Sequence, residues 1–192
     1  MHSFAVTADG TTLASVGFEN ERPNEIFLWD LEKREVKSRF QGADFWPGYV
    51  VFSPDEKTLA VAGTRLKLPS DISGVVTLWD VATGKQEKES KRIPLSVDAV
   101  AYAPDGKLLA IATALDEVEL WNAETLEPVT KLTGHTNSVS HVAFSADGKL
   151  IASASRDKTV RLWNVPPKGA AATKGATGKT KGTKPTKPSK KK

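Results

Sequence analysis

Between residues 139 and 163 the chain alternates short apolar-rich runs with polar turns. Val139–Ser145 is followed by Ala146-Asp147-Gly148, and Leu150–Ser155 by Arg156-Asp157-Lys158. Thr159–Trp163 closes the unit. Runs of this length, rich in Val, Ile, Thr and aromatic residues and ended by Asp-Gly, predict antiparallel strands in a meander. No window sustains a helical period, so no helix is predicted.

The unit recurs along the chain. Trp29, Trp79, Trp121 and Trp163 are separated by 50, 42 and 42 residues. Asp9-Gly10, Asp55-Glu56, Asp105-Gly106 and Asp147-Gly148 precede them, with 20, 24, 16 and 16 residues from Asp to Trp. The excess in the first two units predicts loop insertions. Pro54 and Pro104 set the turn backbone in units two and three. Glu56 replaces the turn glycine in unit two, at some cost in left-handed ease. A fourth strand is predicted after the first three tryptophans, at Glu35–Phe40, Lys85–Ser90 and Pro128–Leu132.

Four-stranded units near a 42-residue period, ended by Trp29-Asp30, Trp79-Asp80, Trp121-Asn122 and Trp163-Asn164, resemble the WD-repeat (WD40-type) β-propeller family. Gly134-His135, Ser153, Asp157 and Trp163-Asn164 together match its full motif. The resemblance covers residues 1–165. It implies an all-β fold of about four four-stranded antiparallel blades, a partial propeller, at residues 1–42, 43–92, 93–134 and 135–165. It also implies that His135, Ser153 (or Ser155, on the same strand face), Asp157 and Trp163 form a buried hydrogen-bonded chain. The groups can satisfy one another, and each would be expensive to leave unpaired when buried.

Ser, His and Asp also invite a catalytic reading. No nucleophile elbow or Gly-rich oxyanion segment lies near Ser153. The structural reading is therefore preferred, and no catalytic residue is assigned. Only blade four has the whole set. Gly42-Ala43 stands where blade two would have Gly-His, and Arg92-Ile93 where blade three would. Leu115 occupies the Asp position of blade three. Blades one to three are accordingly expected to open more easily than blade four.

The remaining chemistry is sparse. His2, His135 and His141 have no metal-site spacing, and no phosphate loop or zincin motif occurs. No metal or cofactor is expected. Binding has a better foothold. In the resembling family two loops per blade reach one rim. The insertions Phe18–Asn24 and Thr64–Asp71, and the segment Asp44-Phe45-Trp46-Pro47-Gly48, would meet there. Arg22, Phe45, Trp46, Arg65 and Lys67 are the candidate partner contacts. For Trp46, packing against its own blade is the preferred reading and a contact role the alternative.

Charge divides the chain in two. Of its 27 Lys and Arg, nine are lysines in residues 166–192, which hold no acid. That leaves 18 basic residues against 23 acidic ones in 1–165. The tail uses only Pro, Lys, Gly, Ala, Thr and Ser. It cannot offset its ordering entropy and is expected to be disordered. Lys179, Lys181, Lys184, Lys187, Lys190, Lys191 and Lys192 are candidate contacts to nucleic acid or another polyanion. The absence of cysteine fits a reducing compartment, and a cytoplasmic location is the expectation. No signal peptide is visible, and no apolar stretch approaches the ~18–20 residues of a membrane helix.

The strand count is fifteen: three blades of four and one of three. Pro166-Pro167 cannot supply a central strand. Three explanations compete. The chain is part of a larger propeller protein (the favoured one), a second copy completes the ring, or the four blades stand as an open arc. The leading functional expectation is a protein-interaction scaffold, not an enzyme. The alternatives are a nucleic-acid-associated protein acting through its tail, and a regulatory C-terminal fragment of a multidomain protein.

Overall fold

The computed structural model describes residues 3–19, 22–67 and 71–166. All regular elements among them are strands. β1 (Ser3–Val6), β2 (Thr12–Glu19), β3 (Arg22–Asp30) and β4 (Glu35–Ala43) form the first sheet in chain order. β5 (Trp46–Phe52), β6 (Thr58–Lys67), β7 (Asp71–Asp80) and β8 (Gln86–Glu89) form the second. The two-residue β9 (Ile93–Pro94) pairs with β7 at Ser73 and Gly74. β10 (Val97–Tyr102), β11 (Leu108–Thr113), β12 (Glu117–Asn122) and β13 (Pro128–Thr133) form the third sheet. β14 (Val139–Phe144), β15 (Leu150–Ser155) and β16 (Val160–Asn164) form a fourth sheet of three strands. All pairs are antiparallel. The architecture is that of partial WD40-type propeller blades. The one strand beyond the expected fifteen is β9.

Three of the four turns marked by aspartate are built alike, whereas blade three has Ala103 in place of the hydroxyl residue. Thr7, Ser53 and Ser145 each donate a hydroxyl proton to the aspartate two residues on, Asp9, Asp55 and Asp147, at 2.6 Å. The same oxygens accept the amides of Thr12, Ser53's partner Thr58, and Leu150 at 3.0 Å, locking the hairpin entry. These bonds hold all three carboxyls below the usual aspartate range, the hydroxyl being the main cause. Glu56 takes a left-handed φ of 59° in blade two's turn, where the other turns have glycine. Its carboxylate accepts the Ala8 amide at 2.6 Å, fastening this turn to blade one.

Period-two alternation gives each blade two apolar faces. In blades two and three one face meets the preceding blade and the other meets the next. Ala14, Val16, Ile26 and Leu28 of blade one pack on Val50, Phe52, Leu59, Val61 and Trp79 of blade two. Ala60, Ala62, Val76 and Leu78 then pack on Leu109, Ile111 and Trp121 of blade three. Ala110, Ala112, Val118 and Leu120 pack on Ile151 and Trp163 of blade four. Burying one Val, Leu or Ile in this way contributes about 1.5–3 kcal/mol.

The described residues of the two insertions lie in strands, not in loops as expected. β6 and β7 pair without interruption from Thr58↔Asp80 to Lys67↔Asp71. β2 and β3 likewise continue to Glu19↔Arg22, with one irregularity after Gly17. The inserted residues prolong a hairpin because their two halves satisfy each other's backbone groups, as an exposed loop would not. The tail lysines Lys179, Lys181, Lys184, Lys187, Lys190, Lys191 and Lys192 lie outside the described residues.

Candidate functional site

Blade four brings its four motif residues together. The Trp163 indole donates to Ser153 Oγ at 2.8 Å. Ser153 Oγ lies 2.7 Å from His135 Nε2, and His135 Nδ1 lies 2.7 Å from Asp157 Oδ2. An indole N–H can only donate and a carboxylate only accepts. The protons of a neutral imidazole therefore run one way: Trp163 to Ser153, Ser153 to His135, His135 to Asp157. Asp157 also accepts the amides of Thr136 and Thr159 and the Thr159 hydroxyl, the last at 2.6 Å. Burial opposes its charge, but these bonds prevail and hold the carboxyl far below the usual range. Ser155, the alternative on the same strand face, instead donates to the Asn137 carbonyl and accepts the Asp157 amide.

The Ser153–His135–Asp157 distances would suit a hydrolytic triad, but the surroundings do not. Ser153 is only 1% exposed and His135 3%, so no acyl substrate reaches the hydroxyl. The incoming Trp163 N–H occupies the oxygen that would have to attack.

The other blades hold their tryptophans by different means. Trp29 donates to Ser15 at 2.9 Å, the place on β2 that matches Ser153 on β15. In blade two that place is Val61, and in blade three Ile111. There the acceptor has crossed to the facing strand. Trp79 donates to Thr77 at 2.8 Å, and Trp121 to Glu119 at 2.8 Å. Thr77 is opposite Val61, and Glu119 opposite Ile111. The buried Glu119 is balanced by Lys131 of β13 at 2.9 Å. Lys131 also pairs with Glu117, and that contact chiefly raises the ammonium above its usual range. The motif search missed Thr77 and Glu119. Their signal is a polar residue two places before the tryptophan wherever the facing strand offers none.

This decides the kinship. The WD domain, G-beta repeat family matches residues 126–164, the segment that carries the full chain of bonds. Residues 126–164 are a WD repeat, and the chain as a whole is similar to WD-repeat proteins. It is 34% identical over 109 residues to Periodic tryptophan protein 2 of Arabidopsis thaliana, covering 57% of this chain and 11% of that protein. It is 33% identical over 135 residues to WD repeat-containing protein SL1-17 of Schistosoma mansoni, covering 69% and 40% respectively. A more distant match, 25% identical over 130 residues, is Dipeptidyl-peptidase 5 of Porphyromonas gingivalis, covering 63% and 19%. The chain thus spans well under half the length of these relatives.

The rim residues of these WD repeats separate into four groups. Trp46 opens β5 and is 49% exposed. Phe45, expected beside it as a contact, is buried in the core between blades one and two. Gly63 makes room for the start of β5 and for this ring, since a Cβ there would fall 2.1 Å from the Trp46 carbonyl oxygen and 2.9 Å from the Phe45 ring. Arg65 is engaged rather than displayed. It bonds Glu89 of β8 at 2.8 Å and also pairs with Asp44. These bonds, Glu89 foremost, keep the guanidinium protonated far above neutrality. Arg22 and Lys67 are placed by their backbones at the far ends of the two long hairpins.

The blade-two hairpin forms a ledge. Leu59 on β6 and Leu109 on β11 both face the blade's tryptophan, so Gly63 matches Thr113, where β11 ends. β6 runs four residues further, to Lys67. At ~3.3 Å per residue the overhang is about 13 Å. Leu66 and Ile72 are cross-strand partners on it, and both are substantially exposed. They share the face of Thr64, the partner of Trp46. Exposed Leu95 lies beside them, its carbonyl against Gly74 of β7.

Proposed function

We propose that this chain is a protein-interaction scaffold and that the ledge of blade two is its contact surface. The observation that carries this is one apolar face shared by Trp46, Leu66 and Ile72, with Leu95 at its foot. Clustered exposed apolar residues on a rigid scaffold are characteristic of contact sites, and tryptophan is a favoured anchor. The Arg65–Glu89 and Arg65–Asp44 pairs stiffen the base of the overhang from its opposite face. The occupant that fits is a protein segment presenting apolar side chains. Affinity capture with the full chain and with Trp46→Ala/Ile72→Ser tests it. A set of proteins lost from the double variant at unchanged melting temperature supports the reading. The same set retained by the variant overturns it.

A second reading rests on the nine lysines and absent acids of residues 166–192. Such a segment binds polyanions through counterion release, blind to sequence and weakened by salt. Gel retardation of DNA by the full chain, but not by a chain ending at 165, at low salt and not at high salt, is the expected result. Equal retardation by both chains would remove the tail from consideration.

A further inference from the structure

Arg65 and Ser73 are cross-strand partners on the long hairpin of blade two, and alternation turns them away from Leu66 and Ile72. On their side lies a hollow of about 240 Å³, lined by Arg65, Ser73, Val75, Glu89, Ser90 and Arg92. It is polar where the other blades are apolar. Ser90 follows β8 and exchanges two bonds with Val76: its amide donates to the Val76 carbonyl at 2.8 Å, and its Oγ accepts the Val76 amide at 3.0 Å. The corresponding residues are Phe40, opposite Ile26, in blade one and Leu132, opposite Val118, in blade three. Both are buried. Packing of a blade therefore does not call for a serine at this place.

Ser73 is only 8% exposed. Its hydroxyl opens onto the hollow and makes no hydrogen bond among the described residues. A hydroxyl withdrawn from water without a partner opposes folding, so folding does not account for it. The Ser90 oxygen accepts from Val76, which leaves its proton to donate. Glu89 receives two bonds from Arg65, at 2.8 and 3.1 Å, and a carboxylate has further lone pairs to offer. Donors and acceptors thus face the same space. Charge narrows what can enter. A carboxylate would meet Glu89, and an ammonium would meet Arg65 and Arg92. A neutral group that both donates and accepts meets neither repulsion. The volume is several times the ~30 Å³ of a water molecule, enough for an amide and the methylenes that carry it.

We infer that this hollow takes the primary carboxamide of an asparagine or glutamine presented by a protein segment. The amide oxygen accepts from the Ser73 and Ser90 hydroxyls, and the NH2 group donates to Glu89. The hollow opens where β8 ends at Glu89, so an extended segment can pass there and insert one side chain. Arg92 borders it, with Nη2 3.5 Å from the Ile72 carbonyl. The site does not use Trp46, Leu66 or Ile72 and does not rest on the ledge.

Nuclear magnetic resonance titration of the full chain with propionamide tests this. Saturable shifts of the Ser73, Gly74 and Ser90 backbone amides are expected. A capped Gly-Gln-Gly tripeptide is expected to shift the same amides. Propionate and propylammonium, of similar size but charged, are expected to leave them unmoved. Ser73→Ala is expected to weaken propionamide binding about tenfold without lowering the melting temperature, because the lost hydroxyl bonds nothing within the chain. Trp46→Ala/Ile72→Ser is expected to keep the shifts, so this site and the ledge can fail separately. The absence of saturable shifts overturns the proposal, as do equal shifts from propionate or propylammonium. A lower melting temperature for Ser73→Ala also overturns it, by giving the hydroxyl a role in folding. Shifts from propionamide without shifts from the tripeptide would assign the hollow to free amides and overturn its reading as a site for a protein segment.

Discussion

Val61 and Thr77 face each other across β6 and β7, and the hydroxyl that holds Trp79 is on Thr77. In blades one and four the corresponding hydroxyl is on the other strand, at Ser15 and Ser153. The indole N–H needs an acceptor within reach, and either strand can supply it. Val and Thr have nearly the same shape, so the acceptor can be moved experimentally. Thr77→Val alone leaves the buried Trp79 N–H without a partner and is expected to cost about 1–3 kcal/mol. Adding Val61→Thr restores an acceptor on the facing strand and is expected to recover most of that loss. Urea unfolding of wild type, single and double variants measures the coupling. A double variant no more stable than Thr77→Val would show that the two strands are not interchangeable.

Ser153 has two buried clients, Trp163 and His135. Ser153→Ala strips both at once and is expected to destabilise the chain by about 2–4 kcal/mol, more than a single lost hydrogen bond. Thr113→Val provides the contrast. Among the described residues that hydroxyl holds one amide, that of Leu115 at 3.3 Å, and its loss is expected to stay near or below about 1 kcal/mol. Thermal unfolding of the two variants gives the comparison.

Acid should weaken blade four in a defined direction. The Asp157 carboxyl is held below its unfolded value by the Thr159, His135 and Thr136 bonds, against the opposing effect of burial. A depressed acid binds fewer protons folded than unfolded, so its stabilisation is complete above the unfolded value near 3.8. It fades as pH falls below that point. Asp157→Asn is expected to lower stability at neutral pH and to flatten the acid limb of the stability curve. Denaturant midpoints between pH 7 and pH 3, compared with wild type, test the sign.

Protection against hydrogen exchange should run opposite to what the motif alone suggests. The complete bonded chain in blade four led to the expectation that it opens last. Yet β16 lacks an outer partner strand among the described residues, whereas the matching β12 lies between β11 and β13. Amides of β16 are therefore expected to exchange faster than those of β12, because an edge strand opens without breaking a second ladder. Slower exchange in β16 would mean that the blade-four bond network outweighs the missing strand.

The periodic part of the fold was legible because each blade repeats a local solution. The turn aspartates and the tryptophans fixed the meander closely enough that β15 falls on the run Leu150–Ser155 as read. What escaped depends on pairing. Thr64–Lys67 looks like a loop until Ile72 and Ser73 are seen opposite Leu66 and Arg65. Phe45 looks like a rim anchor until the space left by Gly63 is known. Thr77 and Glu119 look like ordinary strand residues until Val61 and Ile111 are found across from them. Each miss concerns two residues that meet only across neighbouring strands, each unremarkable alone. The bonded chain of blade four was readable because its motif already encodes such a relationship.

A contact whose two halves lie on opposite faces of every unit has a consequence for how such chains can change length. Copying one 42-residue segment, from one tryptophan to the next as between Trp79 and Trp121, adds a unit that fits both of its neighbours at once. No new surface has to arise, and no old one is orphaned. Growth by tandem duplication then reuses faces that already fit, and the Glu56–Ala8 link shows how one turn residue can fasten neighbouring units without touching the shared faces.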